Sequence, residues 1–168
     1  MTSPVRYQDP RVILAILRSA RTVAIVGLSK DPLRPSNFIG FYLQRHGYTI
    51  VPVNPRETEI LGERSYPGLT AIPFPVDVVD VFRRPDAVPD IAREAVAIGA
   101  KALWLQFGVI SPDGATIAED AGARSVVDAD RIALAQPVAG FDPKNHTPGH
   151  GTDDLLYQAA GTVIGEQQ

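Results

Sequence analysis

The chain of 168 residues contains no cysteine. That absence excludes disulfides, thiolate nucleophiles, thiolate metal centres and iron–sulfur ligation. No segment approaches the ~18 consecutive apolar residues of a membrane-spanning helix. The stretch from Met1 to Tyr7 lacks the apolar core of a signal peptide, so the cytoplasm is the expected location. An excess of positive charge is missing as well. The formal net charge is −3, which argues against a general affinity for nucleic acid or an anionic membrane. An anionic ligand would have to be held by a local basic cluster.

What the chain does have is alternation. Its length suits one domain, and no internal repeat, low-complexity tract or interdomain linker interrupts it. Asp9 and Pro10 read as the cap and first turn of a helix with Val12, Ile13, Ile16 and Leu17 along one face. Residues 22–26 read as a strand apolar on both faces, as a buried parallel strand is. It runs into Gly27-Leu28-Ser29 and a polar loop. Ser36 is expected to cap a helix over about 37–46, closed by Gly47. Further strands are expected at 48–53, 76–82, 102–107 and 125–127, with helices at about 87–98 and 113–121. This succession implies a single α/β domain with a doubly wound parallel sheet of about five strands and right-handed crossovers. The domain is assigned to residues 1–140. Residues 141–168 form a C-terminal tail with a possible short helix over 153–160.

In open parallel sheets, ligands bind beyond the C-terminal strand ends where the strand order reverses. Gly27 and Ser29 stand there, where backbone must approach a pyrophosphate closely. Ser36 opens a helix whose N-terminal dipole favours an anion. Gly27-x-Ser29 lacks the second and third glycines of a dinucleotide fingerprint, so the bare pattern is equally that of a plain turn. Lys30, Arg34, Arg56, Arg83 and Arg84 all fall in loops of this same edge, and they supply the local basic cluster. The second strand ends in Val53-Asn54-Pro55-Arg56, whereas enzymes that use NAD carry an acidic residue there for the ribose hydroxyls. A neutral amide, a rigid turn and a cation suit a phosphorylated ribose instead, as in NADP or the 3′-phosphate of coenzyme A (CoA).

The run from Val23 to Ser29, then Arg34-Pro35-Ser36, Gly47-Tyr48 and Val51-Pro52-Val53-Asn54-Pro55, resembles the stand-alone CoA-binding domain proteins. These are related to the CoA-binding domain of the succinyl-CoA synthetase α subunit. The likeness continues through Asp80-Val81-Phe82-Arg83-Arg84-Pro85 and Leu103-Trp104-Leu105-Gln106-Phe107-Gly108-Val109, covering residues 10 to 135. It implies a Rossmann-like domain that binds CoA or acyl-CoA across the strand ends. Ser29, Lys30, Arg34 and Ser36 would then hold the phosphates. Asn54, Pro55 and Arg56 would meet the adenine and phosphorylated ribose, Phe82 and Arg83 would line the pantetheine path, and Gln106 would lie towards its far end. Many relatives carry a cysteine after the fifth strand and a glutamate four residues later. Here those positions hold Arg131 and Ala135, so a mixed disulfide with CoA is not available.

Other residues have plainer readings. Pro148 forbids a regular helix through His146 and His150, which reads against a metal site there; His46 suits the C-terminal end of its helix. Asp128 and Asp130 read as loop carboxylates or partners of Arg131 rather than an acid–base pair. Asp77 and Asp80 have an odd spacing that sends them to opposite faces of a strand. Trp104 reads as core, and no histidine stands near Ser29 to activate it. Three functions stay open at this point: a non-catalytic or regulatory CoA-binding protein, an NADP-dependent oxidoreductase or other nucleotide-using enzyme, and an interaction domain that has lost its ligand.

Overall fold

The computed structural model of the protein describes residues 9–106 and 108–129. In chain order its elements are α1 (Pro10–Ser19), β1 (Thr22–Val26), α2 (Pro35–Arg45), β2 (Thr49–Val53), β3 (Glu59–Ile60), β4 (Glu63–Arg64), β5 (Val78–Val81), α3 (Val88–Ala97), β6 (Ala102–Gln106), α4 (Pro112–Asp120) and β7 (Arg124–Ala129). Five strands make one sheet in the order β2-β1-β5-β6-β7, and every pair in it is parallel. This is the 2-1-3-4-5 order of a doubly wound, Rossmann-like fold.

The helices cover both faces of that sheet. Ile13, Ile16 and Leu17 of α1 and Leu43 of α2 pack with Val23, Ile25, Ile50 and Trp104 on one face. Val88, Ala92 and Ala95 of α3 and Ala115 and Ala118 of α4 pack with Ala24, Val51, Val79, Val81, Leu103 and Leu105 on the other. Strands buried on both sides need continuous apolar runs, and that is why β1, β5 and β6 read as they do. A fully buried Val, Leu or Ile contributes ~1.5–3 kcal/mol, against ~1 kcal/mol for a cap, so face packing rather than capping holds the helices in place. Trp104 is fully buried, as expected of a core residue.

Asp9 does cap α1, its carboxylate accepting from the Arg11 N–H at 2.9 Å. The start of α2 differs from the sequence expectation. Arg34 takes the N-cap position without a side-chain cap, and Pro35 opens the helix. Pro suits that position because its φ is preset and no N–H is wanted there. Ser36 therefore lies inside the first turn and is not the cap. A second difference is the small β3–β4 hairpin, antiparallel with Glu59 opposite Arg64, where only a loop is expected. The tail assigned to 141–168 lies outside the described residues.

Candidate ligand cleft at the strand ends

The strand order reverses at β1. From β1 the chain crosses to β2 on one side, then returns past the hairpin to β5 on the other, which opens a crevice at the C-terminal ends of β1 and β5. Val26 and Val81 are register partners there, and the Phe82 N–H donates to the Val26 carbonyl at 2.9 Å. Gly27 follows with φ +86°, and a Cβ on it would lie 2.5 Å from the Phe82 carbonyl oxygen and 3.0 Å from Arg83 Cδ. Glycine is thus demanded by the neighbouring strand end itself, before any ligand is considered.

The turn after Gly27 is tied down by α2. The Ser29 N–H donates to Ser36 Oγ at 3.1 Å, and Asn37 Nδ2 donates to the Ser29 carbonyl at 2.9 Å. Ser29 Oγ in turn accepts from the Asp31 N–H at 3.1 Å. Ser36 and Asn37 are both buried. The two serines that the sequence points to as phosphate ligands therefore hold each other and shape the loop that carries Lys30 and Arg34. Sequence reasoning passes over Asn37; its only signal is a polar residue in the first turn of the helix that follows β1.

Asn54 performs a similar task at the end of β2. Its Nδ2 donates to the Leu28 carbonyl at 3.0 Å, and its Oδ1 accepts from the Arg56 N–H at 2.9 Å. Its own carbonyl accepts from Ser65 Oγ at 3.1 Å. The side chain ties the β1 turn to the β2 turn, and the backbone of the same residue ties both to the segment that follows the hairpin. Asn54, Pro55 and Arg56 then line a cleft of ≈ 560 Å³ with Gly27, Arg83 and, from α3, Asp90 and Glu94. A neighbouring cleft of ≈ 930 Å³ is lined by Phe82, Arg83, Arg84, Gln106 and Gly108. Arg83 and Ala87 border both, and both volumes lie in the range of small-molecule sites.

All five basic residues stand at this edge, but three have acidic neighbours. Lys30 Nζ lies 3.1 Å from Glu57, Arg34 Nε lies 4.0 Å from Asp31 and Arg84 lies 3.2 Å from Asp86. Exposed pairs of this kind are worth ~0–1 kcal/mol, so a phosphate could displace the carboxylates at small cost. Arg56 and Arg83 line the clefts directly.

Beneath Gln106 sits a group that sequence reasoning undervalued. Asp80 is fully buried in β5 and accepts from Gln106 Nε2 at 2.6 Å. Burial pushes its carboxyl up to about 7, against the opposing hydrogen bonds from Gln106 and the Val81 N–H. The available signal is an acidic residue inside Val78-Val79-Asp80-Val81, a run covered on both faces. Asp77 lies at the opposite edge of the sheet. Burial raises its pKa, but the N–H groups of Arg21 and Thr22 and the ammonium of Lys101 outweigh that and hold it below the ordinary value. The two carboxylates do not meet.

Among the described residues, no group of three or more His, Asp or Glu could hold a metal ion, and no helix is long and apolar enough to cross a membrane. Asp128 falls in β7, while Asp130, Arg131, Ala135, His146 and His150 lie outside the described residues.

This geometry has relatives. A family model described as a CoA binding domain matches residues 21–130. The chain is 34% identical over 116 residues to the uncharacterized protein YneT of Bacillus subtilis, covering 69% of this chain and 86% of YneT. It is 30% identical over 101 residues to the ADP-forming acetate–CoA ligase II of Archaeoglobus fulgidus, covering 59% of this chain and only 15% of the ligase. A solved structure of a hypothetical protein from Pyrococcus horikoshii is 34% identical, with a TM-score of 0.72, covering 76% of this chain and 90% of that one. Because the matched span takes in every strand of the sheet and both clefts, the chain belongs to the CoA-binding domain family.

Proposed function

We propose that this protein binds CoA or acyl-CoA across the β1–β5 switch point and serves as a non-catalytic or regulatory binding protein. The observation that carries the reading is the pair of clefts meeting at Arg83. CoA is a long ligand with a polyanionic nucleotide end and a thin, mostly apolar arm. Gly27, Asn54, Pro55 and Arg56 would receive the phosphorylated ribose and base, with Lys30 and Arg34 on the phosphates and Ser29 and Ser36 shaping their loop. Phe82, Arg83 and Gln106 would take the pantetheine arm. The CoA-binding family supports this ligand over NADP. A chain without cysteine offers no thiol for acyl transfer or a mixed disulfide, which favours binding over covalent chemistry.

Thermal denaturation with CoA, acetyl-CoA, NADP and NAD in parallel tests this. A ligand at a hundred times its dissociation constant adds about 2.7 kcal/mol of stability. CoA and acetyl-CoA should stabilise most, NADP less and NAD least. A larger shift with NAD would overturn the proposal, and a larger one with NADP would favour a nucleotide-using enzyme.

A further inference from the structure

Asp80 is an expensive residue for this fold. A carboxylate buried in an apolar sheet costs several kcal/mol of desolvation, and an apolar residue of similar size would commonly serve stability better. Nor is it fully satisfied. Among the described residues, Asp80 Oδ2 and the Nε1 of its register partner Trp104 are both buried without a hydrogen-bond partner. One contact gives the carboxyl a direction, the 2.6 Å bond from Gln106 Nε2. Gln106 is itself buried, yet it is part of the wall of the larger cleft. An amide has one donor end and one acceptor end. With the nitrogen drawn inward to Asp80, the oxygen is the end left for the cleft.

We propose that Asp80 is a positioning residue: it holds the Gln106 amide nitrogen inward, so that Gln106 Oε1 accepts a hydrogen bond from a donor on the ligand's distal arm. In CoA that donor is a pantetheine amide N–H or the terminal thiol S–H. The inference rests on the CoA reading for the identity of the donor, but not for the orientation of the amide. Around the carboxyl, Ile25 from β1 and Trp104 from β6 are its register partners. Among the described residues, no charged side chain contributes to its titration. Above about pH 7, where it is ionised, the carboxylate can only accept, and that fixes the Gln106 amide one way round.

Calorimetry with CoA, acetyl-CoA and adenosine 3′,5′-bisphosphate, which lacks the arm, tests the proposal on wild type, Asp80→Leu and Asp80→Asn. Loss of one ligand hydrogen bond should weaken CoA about two- to tenfold in Asp80→Leu. The bisphosphate should be unchanged. An equal loss for acetyl-CoA assigns the amide donor, and a loss confined to CoA assigns the thiol. Asp80→Asn, which offers Gln106 both a donor and an acceptor, should fall between and serves if the leucine variant does not fold. Equal weakening of all three ligands, or of none, would overturn the proposal. A second readout needs no ligand. The Gln106 side-chain amide signal, assigned through its loss in Gln106→Met, should move with pH around 7 in wild type and stay still in Asp80→Leu; a signal that moves alike in both defeats the positioning role. If the wild type binds no CoA, the functional reading fails while this signal still decides the orientation.

Discussion

The Ser36 hydroxyl accepts the backbone N–H of Ser29 at 3.1 Å, so a residue of the first turn of α2 fastens the turn at the end of β1. A helix cap would satisfy the helix's own N–H groups; this contact instead fixes the entrance loop of the cleft.

Ser36→Ala should therefore cost about 1–2 kcal/mol, the value of a part-buried hydrogen bond whose donor is left without its partner. For a chain of this size that lowers Tm by a few degrees. Hydrogen exchange separates the two roles. Protection should fall at the Ser29 amide and persist at Asn37 and Phe38, whose N–H groups donate to the Arg34 carbonyl. Loss of protection at the helix start would show that Ser36 acts as a cap after all.

The sheet was legible because burial on both faces writes long apolar runs, and the end of β1 at Val26 matches the expected strand. The start of α2 was misplaced because a serine before a helical stretch signals a cap, and Pro35 one residue earlier outranked it. The β3–β4 hairpin was not legible. Its two-residue turn, Leu61-Gly62, has φ +54° and +75°, where Asn-Gly is the usual signal. Leu61 accepts the strained conformation because its side chain packs against the α1–α2 core and the open side of Gly40. Of the site, the cluster of cations was visible in the sequence. Their carboxylate neighbours and the bracing role of Asn54 depend on loops folding together, and no local pattern encodes that.

Asn54→Asp is a sharper probe once this bracing is known. The new carboxylate can still accept from the Arg56 N–H, but its second oxygen would face the Leu28 carbonyl, where Nδ2 now donates at 3.0 Å. Two acceptors in contact, plus a lost bond, should cost about 1–3 kcal/mol of stability. With the nucleotide end seated on this turn as proposed, CoA and dephospho-CoA should both weaken, with CoA suffering the additional repulsion of its 3′-phosphate. Calorimetry on the folded variant checks this, and an unchanged affinity for either ligand would contradict it.

Asp80 sets a pH dependence of stability with a definite sign. Its pKa is raised by burial from the ordinary 3.8 to about 7 in the folded chain, so between those values the native state holds a proton that the unfolded state has released. Stability must then fall as pH rises from about 4 through 7. Asp77, with its lowered pKa, acts in the opposite sense, losing stability as pH drops below about 4, so it does not offset Asp80 between pH 5 and 8. Urea unfolding should show wild type less stable at pH 8 than at pH 5, and Asp80→Asn should flatten that difference. A wild-type curve rising across the window, with the variant parallel to it, would mean Asp80 titrates as an ordinary carboxylate.

Gly27 and Gly99 make a controlled pair. Both have positive φ, +86° and +73°, but a Cβ on Gly99 meets nothing within 4 Å, while one on Gly27 would strike the Phe82 carbonyl at 2.5 Å. Gly99→Ala should cost the backbone penalty alone, about 1–2 kcal/mol. Gly27→Ala must pay that and also separate β1 from β5 where they are joined by the Phe82 N–H to Val26 carbonyl bond, which should bring the total to about 3 kcal/mol or more. The two variants also part company in binding. Gly99 lies at the far end of α3, outside both clefts, so Gly99→Ala should bind CoA as wild type does. Gly27→Ala, if it folds, shifts Phe82 and Arg83, which border the larger cleft and the junction of the two, and should bind CoA at least tenfold more weakly. Chemical denaturation gives the first comparison and calorimetry the second. Equal stabilities would mean that the strand ends yield easily, and an unaffected CoA affinity in Gly27→Ala would move the ligand away from this switch point.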